Sequence, residues 1–250
     1  MVDHVHDPAV RTEAAALFDA GFALESRGQH TEALRAYDDL IRRFGQVPDP
    51  RVQVKVAAAL NGTSWLVGQQ SGDQPRAVVL DDLITRFADH NTGDPDLDGQ
   101  LAVAMNHKAI VMGRLQGPEQ GIALHDELIQ RFGTATPYLV RERVAMSIYG
   151  KGSQLAGLNR HREALECYQE AARRTGTASE PKMHELTAMA LFASGLSLEE
   201  LKRRKEAIAV YEDVINRYGN SGDEDLLVHV RSAGRRLEAL SKRRWFHLFG

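Results

Sequence analysis

The stretch Glu32-Ala33-Leu34-Arg35-Ala36-Tyr37-Asp38-Asp39-Leu40-Ile41-Arg42-Arg43-Phe44-Gly45 decides the fold, because it comes back along the chain. It returns in the segment ending Asp81-Asp82-Leu83-Ile84-Thr85-Arg86-Phe87, then as Asp126-Glu127-Leu128-Ile129-Gln130-Arg131-Phe132-Gly133. Glu163-Ala164-Leu165-Glu166-Cys167-Tyr168 running to Thr175-Gly176, and Glu206-Ala207-Ile208-Ala209-Val210-Tyr211 running to Tyr218-Gly219, complete the series. The markers Phe44, Phe87, Phe132, Thr175 and Tyr218 are spaced by 43, 45, 43 and 43 residues. A fixed period of this size means stacked supersecondary units rather than one irregular domain.

Before each copy lies a second amphipathic segment. Leu17, Ala20, Gly21 and Leu24 are matched by Ile148, Lys151, Gly152 and Leu155, and by Leu191, Ser194, Gly195 and Leu198. Steps of three, one and three put these side chains on one helical stripe, and the glycine lets a second helix approach closely. Each unit therefore reads as a helical hairpin, an A helix followed by a B helix, joined by a turn at Arg27-Gly28-Gln29-His30 or its equivalents. Gly45, Gly133, Gly176 and Gly219 stand where a helix ends. Asp7-Pro8, Asp49-Pro50, Asp94-Pro95, Thr136-Pro137 and Glu180-Pro181 each predict the start of an A helix, with proline at the first helical position. Pro75 and Pro118 mark the starts of two B helices.

The pattern Leu17, Ala20-Gly21, Leu24, Ala33, Tyr37 and Leu40 resembles the tetratricopeptide repeat. The fourth and fifth units match through Gly152, Ala164, Tyr168 and Ala171, and through Gly195, Ala207 and Tyr211. The second and third depart, with Arg76 and Gly121 at the alanine position and Leu80 and His125 at the aromatic one. The spacing also exceeds the usual repeat of about 34 residues. The resemblance implies an all-α fold, a right-handed α-solenoid of five antiparallel helical hairpins plus a C-terminal capping helix. The expected division is a leader over 1–6, repeats over 7–47, 48–92, 93–134, 135–178 and 179–222, a cap over 223–243 and a basic, aromatic tail over 244–250.

Composition excludes several function classes. The chain has 250 residues, 43% hydrophobic and 26% charged, values of a folded protein rather than a disordered or fibrous one. A net charge of −3 argues against a general nucleic-acid binder, which needs a basic surface. The single Cys167 can form no internal disulfide, and no apolar run approaches the roughly 20 residues of a membrane helix. A cytoplasmic location is the expectation.

The chemistry-bearing residues do not assemble a catalytic motif. The ten histidines include no His-Glu-x-x-His arrangement, and Asp3-His4-Val5-His6-Asp7 reads as a polar leader rather than a metal site. His125 reads as a packed core histidine and Cys167 as an inert thiol. Gly150-Lys151-Gly152-Ser153 lies within an A helix and lacks the preceding strand of a phosphate loop. Ser179-Glu180-Pro181-Lys182 straddles a loop and a helix start. The acidic pairs Asp38-Asp39, Asp81-Asp82 and Asp126-Glu127 recur once per repeat, as a solvated face paired with neighbours such as Arg42 and Arg86 would. No enzyme activity, cofactor or metal is expected.

The resemblance implies that A helices line a concave groove, into which the side chains just before and after the small residue point. Down the array these are Phe18 and Phe22, Asn61 and Trp65, Asn106 and Ile110, Tyr149 and Ser153, and Phe192 and Leu196. Either they fill contacts between successive hairpins, or they bind a peptide or helix of a partner protein, with aromatic anchors and backbone-bonding asparagines. The leading expectation is a non-catalytic interaction scaffold. The carboxylate-clamping residues of some family members are not reproduced, since Phe18 and Phe22 stand in the first unit. A membrane-surface adaptor is the alternative, docking through Arg243, Arg244, Trp245, Phe246 and Phe249, as is a regulatory subunit of an enzyme.

Overall fold

The computed structural model describes residues 7–88 and 94–246, with side chains as far as residue 241. Among the described residues every regular element is a helix. The order is α1 (Pro8–Ser26), α2 (His30–Phe44), α3 (Pro50–Ser71), α4 (Asp73–Phe87), α5 (Pro95–Leu115), α6 (Pro118–Phe132), α7 (Tyr138–Gly157), α8 (His161–Thr175), α9 (Pro181–Glu200), α10 (Arg204–Tyr218) and α11 (Glu224–Phe246). Odd-numbered helices α1 to α9 are the A helices of the hairpins and even-numbered ones the B helices, so the fold is the all-α, tetratricopeptide-like arrangement that the repeat predicts.

Local chemistry sets the boundaries. Asp7, Asp49 and Asp94 each accept a hydrogen bond from a backbone N–H of the first turn, satisfying donors that have no intrahelical partner. Asp49 does more, because it is buried and also takes a 2.7 Å bond from Arg11 Nε. The A helix at Pro137 starts one residue later than predicted: α7 begins at Tyr138, and the Pro137 carbonyl accepts from the Arg141 N–H at 3.0 Å. The turns between A and B helices place one residue in the left-handed region, Gly28, Gly72 or Gly117 in three hairpins and Asn159 or Lys202 in the other two. The glycines that end B helices work differently. Gly45, Gly176 and Gly219 remain right-handed, and a Cβ at Gly219 would lie 2.5 Å from the Ile215 carbonyl oxygen, so close approach and not positive φ requires glycine there.

The chain divides into two compact units, one formed by residues 1–124 and 130–143, the other by 125–129 and 144–250. The equal spacing of the repeats carries no hint of this division. In the first unit Tyr37 is the central packing element. A Cβ at Gly21 or at Gly62 would lie 2.6 Å from its ring, so the tyrosine fits between its own A helix and the next one only because both positions lack a side chain. Its hydroxyl donates to Glu25 at 2.7 Å. Leu40, Val56, Leu66, Leu80, Leu83 and Leu101 complete a dry interior.

In the second unit Tyr211 occupies the same place opposite Gly195 and donates to Glu199 at 2.7 Å. Around it pack Leu165, Leu198, Val214, Tyr218, Leu226, Ala233 and Leu240. Leu226, Ala233 and Leu240 belong to α11, which covers the last hairpin and is fastened by a two-pronged pair from Arg236 to Glu199 at 2.7 and 2.6 Å. The helix runs to Phe246, three residues past the predicted cap. Arg243, Arg244, Trp245 and Phe246 therefore fall on helical backbone, while their side chains, and Phe249, lie outside the described residues.

Candidate functional site

The two positions of each A helix that the sequence assigns to a groove have different environments. The residue before the small position packs inward. Phe18 lies 6.0 Å from the Tyr37 ring, and Tyr149 and Phe192 lie 5.3 and 5.7 Å from Tyr168 and Tyr211. In each case the aromatic fills the hairpin between its A helix and the B-helix tyrosine. These three aromatics are half-buried, and Asn61 and Asn106, which take the same place in the second and third hairpins, are buried. Asn61 Nδ2 donates to the Gln100 side-chain and backbone oxygens of α5 at 2.9 and 3.0 Å. Asn106 is 1% exposed, and neither of its amide atoms has a hydrogen-bond partner.

The residue after the small position faces outward. Phe22 is 57% exposed and Trp65 37%, both in the first unit, while Ile110 is half-buried. Phe18 and Phe22 stack at 6.3 Å, Lys55 Nζ sits 4.7 Å above the Phe18 ring, and His30 meets Trp65 edge-on at 5.7 Å. In the second unit Ser153 and Leu196 are exposed. An apolar side chain left in water forfeits the free energy of burial, so the exposed aromatics Phe22 and Trp65 on A helices, like the exposed Val78 on α4, are surface features of the first unit that folding does not account for.

The remaining candidates sort by environment. His125 is fully buried, bonded through Nδ1 to Ser147 Oγ at 2.7 Å, with its ring against Gly150, where a Cβ would come within 2.7 Å. Burial pushes its pKa down to about 4, so the imidazole is neutral. Burial pushes the Cys167 thiol up, away from the thiolate that a nucleophile needs. Lys151 of the glycine-rich segment lies in α7 and pairs with Asp126 at 2.6 Å. Asp81 makes the same kind of contact to Lys108, at 2.5 Å. The second and third acidic pairs thus reach across to a lysine of the following A helix, while Asp82 meets Arg86 at 3.3 Å and Asp39 meets Arg42 and Arg43 within their own helices. Among the described residues no group of three or more His, Cys, Asp or Glu is arranged to hold a metal ion, and no helix is long and apolar enough to cross a membrane.

Sequence reasoning missed one group. His107, half-buried on α5, has its pKa lowered to about 4, mainly by burial and further by the positive charges of Arg76 and Arg143. Arg76 stood out only as a departure from the repeat, filling a position that other units give to alanine. That departure was the available signal.

Tetratricopeptide repeat models match residues 15–46 and 149–222. These two stretches of the chain carry tetratricopeptide repeats. Among solved structures it is similar to Bacillus thuringiensis PlcR, crystallised in complex with the peptide PapR7 and DNA, with a TM-score of 0.58 at 12% identity over 92% of this chain and 74% of that one. It is also similar to a Podosopora anserina putative kinesin light chain with nearly identical TPR-like repeats, with a TM-score of 0.55 at 10% identity over 90% and 97% of the two chains. At these identities the likeness is one of fold. No curated protein matches the sequence.

Proposed function

We propose that this protein is a non-catalytic interaction scaffold that binds an extended segment of a partner protein on the A-helix face of its first unit. The observation that carries the reading is the exposure of Phe22 and Trp65 on α1 and α3, one turn after the half-buried Phe18 and the buried Asn61. Aromatic rings supply large contact area at low entropic cost, and such residues dominate binding energy where they anchor a partner. Phe18, behind Phe22, and His30, against Trp65, hold the two rings in place before any partner arrives. PlcR, of similar fold, was crystallised with a peptide, which supports the class of ligand but not its identity. The lone cysteine suits a reducing compartment, and the cytoplasm is the location proposed.

Full-length protein used as bait provides the partner, and its affinity is then measured for two variants. Trp65→Ala and Phe22→Ala are each expected to weaken binding by about 2 kcal/mol, some thirtyfold. Because both side chains are exposed, thermal stability should change by less than that. Wild-type affinity in both variants would refute the reading, and the outward B-helix face with its acidic pairs would replace it.

A further inference from the structure

The sequence after Ser241 joins cations to large apolar side chains: the run Lys242 to Arg244 is followed by Trp245, Phe246, Leu248 and Phe249, with no acidic residue among them. Covering the last hairpin does not call on these side chains. Leu226, Ala233 and Leu240 of α11 already close the core around Tyr211, and Arg236 fastens the helix to Glu199. The first unit carries a surface of the opposite charge. Asp19 and Glu25 stand three residues before and after the exposed Phe22, which sets acid, aromatic and acid along one side of α1. Asp19 is exposed and makes no hydrogen bond or ion pair among the described residues, and Glu25 accepts from the Tyr37 hydroxyl through Oε2. Lys55, on α3, is turned onto the Phe18 ring at 4.7 Å. The imbalance extends along the chain: residues 1–124 hold 17 acidic and 11 basic side chains, whereas residues 231–250 hold six basic and one acidic.

An exposed aromatic face bordered by carboxylates is matched by a segment that presents rings and arginines together. Rings laid against rings recover the free energy that both surfaces forfeit in water, and a guanidinium both pairs with a carboxylate and stacks on an aromatic face. We propose that the segment bound on the aromatic face of the first unit is residues 242–250 of a second copy of this chain, its rings against Phe22 and Trp65 and its arginines toward Asp19 and Glu25. The assignment rests on the peptide-binding reading above and names the partner. Because the face is on one copy and the segment on the other, the contact is heterologous, so copies join head to tail, into a ring where the rotation closes and into longer chains where it does not. Its charged part is exposed and weakens with salt.

The test uses the full chain in three forms: the parent, a face variant with Phe22→Ala and Trp65→Ala, and a tail variant with Trp245→Ser, Phe246→Ser and Phe249→Ser. In sedimentation at low salt the parent should associate as its concentration rises, and either variant alone should associate about tenfold or more weakly. Mixing the two variants should restore a single contact per pair and give a heterodimer, which a symmetric interface would not do. A labelled peptide of residues 242–250 should bind the tail variant and bind the face variant about tenfold or more weakly. Asp19→Lys, at an exposed position, reads the face again should the double variant fold poorly, and should weaken the peptide several-fold. Association or peptide binding unchanged in the folded face variants would overturn the assignment, as would a mixture that stays monomeric. Peptide binding to the tail variant by a parent that never associates would place the segment on its own chain and overturn the second copy. A peptide that binds phosphatidylserine vesicles and not the tail variant would overturn it in favour of a membrane. Trp65→Ala losing the partner captured by the bait while the peptide binds nothing would remove this inference and leave the peptide-binding reading standing.

Discussion

Tyr37 and His125 occupy the same position in their repeats and solve the same packing problem by different means. Tyr37 fills its slot with a ring pressed against two glycines and anchors its hydroxyl on Glu25. His125 fills its slot with a neutral imidazole against Gly150 and a bond to Ser147. Each is buried, each touches helix backbone through a glycine, and each uses one polar bond. The difference lies in what protonation does. Burial and the nearby Glu25 carboxylate raise the Tyr37 pKa and keep the phenol neutral at every pH a protein meets, whereas His125 is neutral only while the solution does not force a proton onto it. The repeat thus specifies volume and a glycine opposite, and leaves the chemistry of the slot open.

The sharpest way to break the comparison is to fill the space that Tyr37 uses. Gly21→Leu would drive a branched side chain into the ring from one face, and is expected to cost about 3 kcal/mol or more, the upper end for overpacking because the opposing group is an aromatic held on both sides. A lowered thermal midpoint checks it; a protein melting like its parent would mean that Tyr37 can swing out of the slot.

Next in size is the pH dependence that sets His125 apart. A histidine whose folded pKa is depressed binds its proton more readily unfolded, so the stability it supports is full above the unfolded value near 6.5 and is lost as pH falls toward 4. The loss amounts to about 2 to 3 kcal/mol by pH 4 at roughly 1.4 kcal/mol per unit. His125→Leu, which copies the residue Leu80 at the same repeat position, should flatten part of the acid-side decline. His107 keeps its own share, as its pKa is lowered for the same reason. Denaturant unfolding between pH 7 and 4.5 distinguishes the two, and parallel profiles for variant and parent would remove His125 as the source.

The smallest effect concerns the turn that follows each A helix. Gly28 adopts its left-handed conformation without steric cost, while Lys202 holds the corresponding place with φ of 60°. Lys202→Gly should therefore stabilise by about 1 kcal/mol, offset in part by the greater freedom of the unfolded chain. A rise in thermal midpoint of a few degrees is the expected reading, and a fall would show that the lysine side chain contributes more than its backbone strain removes.

Much of this architecture was legible because its signals are local. The period of 43 to 45 residues, the aspartate-proline starts, the turn glycines and the close-packing glycines Gly152 and Gly195 all act within one hairpin, and the helices fall where they point. The candidate groove positions were legible only as a list. Nothing in their spacing distinguishes Phe18, which packs on Tyr37, from Phe22, which faces solvent, because one turn of helix separates a buried side chain from an exposed one and the angle depends on how the partner helix crosses.

Sequence alone thus determined the hairpins and their order, since helical periodicity and capping are read over a few residues. Tertiary structure decided which asparagines are buried, which aromatics face outward, and where the contact pattern divides the chain into two units. It also decided that Arg76 and His107, 31 positions apart in the sequence, act on one another. Burial and electrostatic neighbourhood are properties of what the next helix covers, and no side chain carries that information by itself.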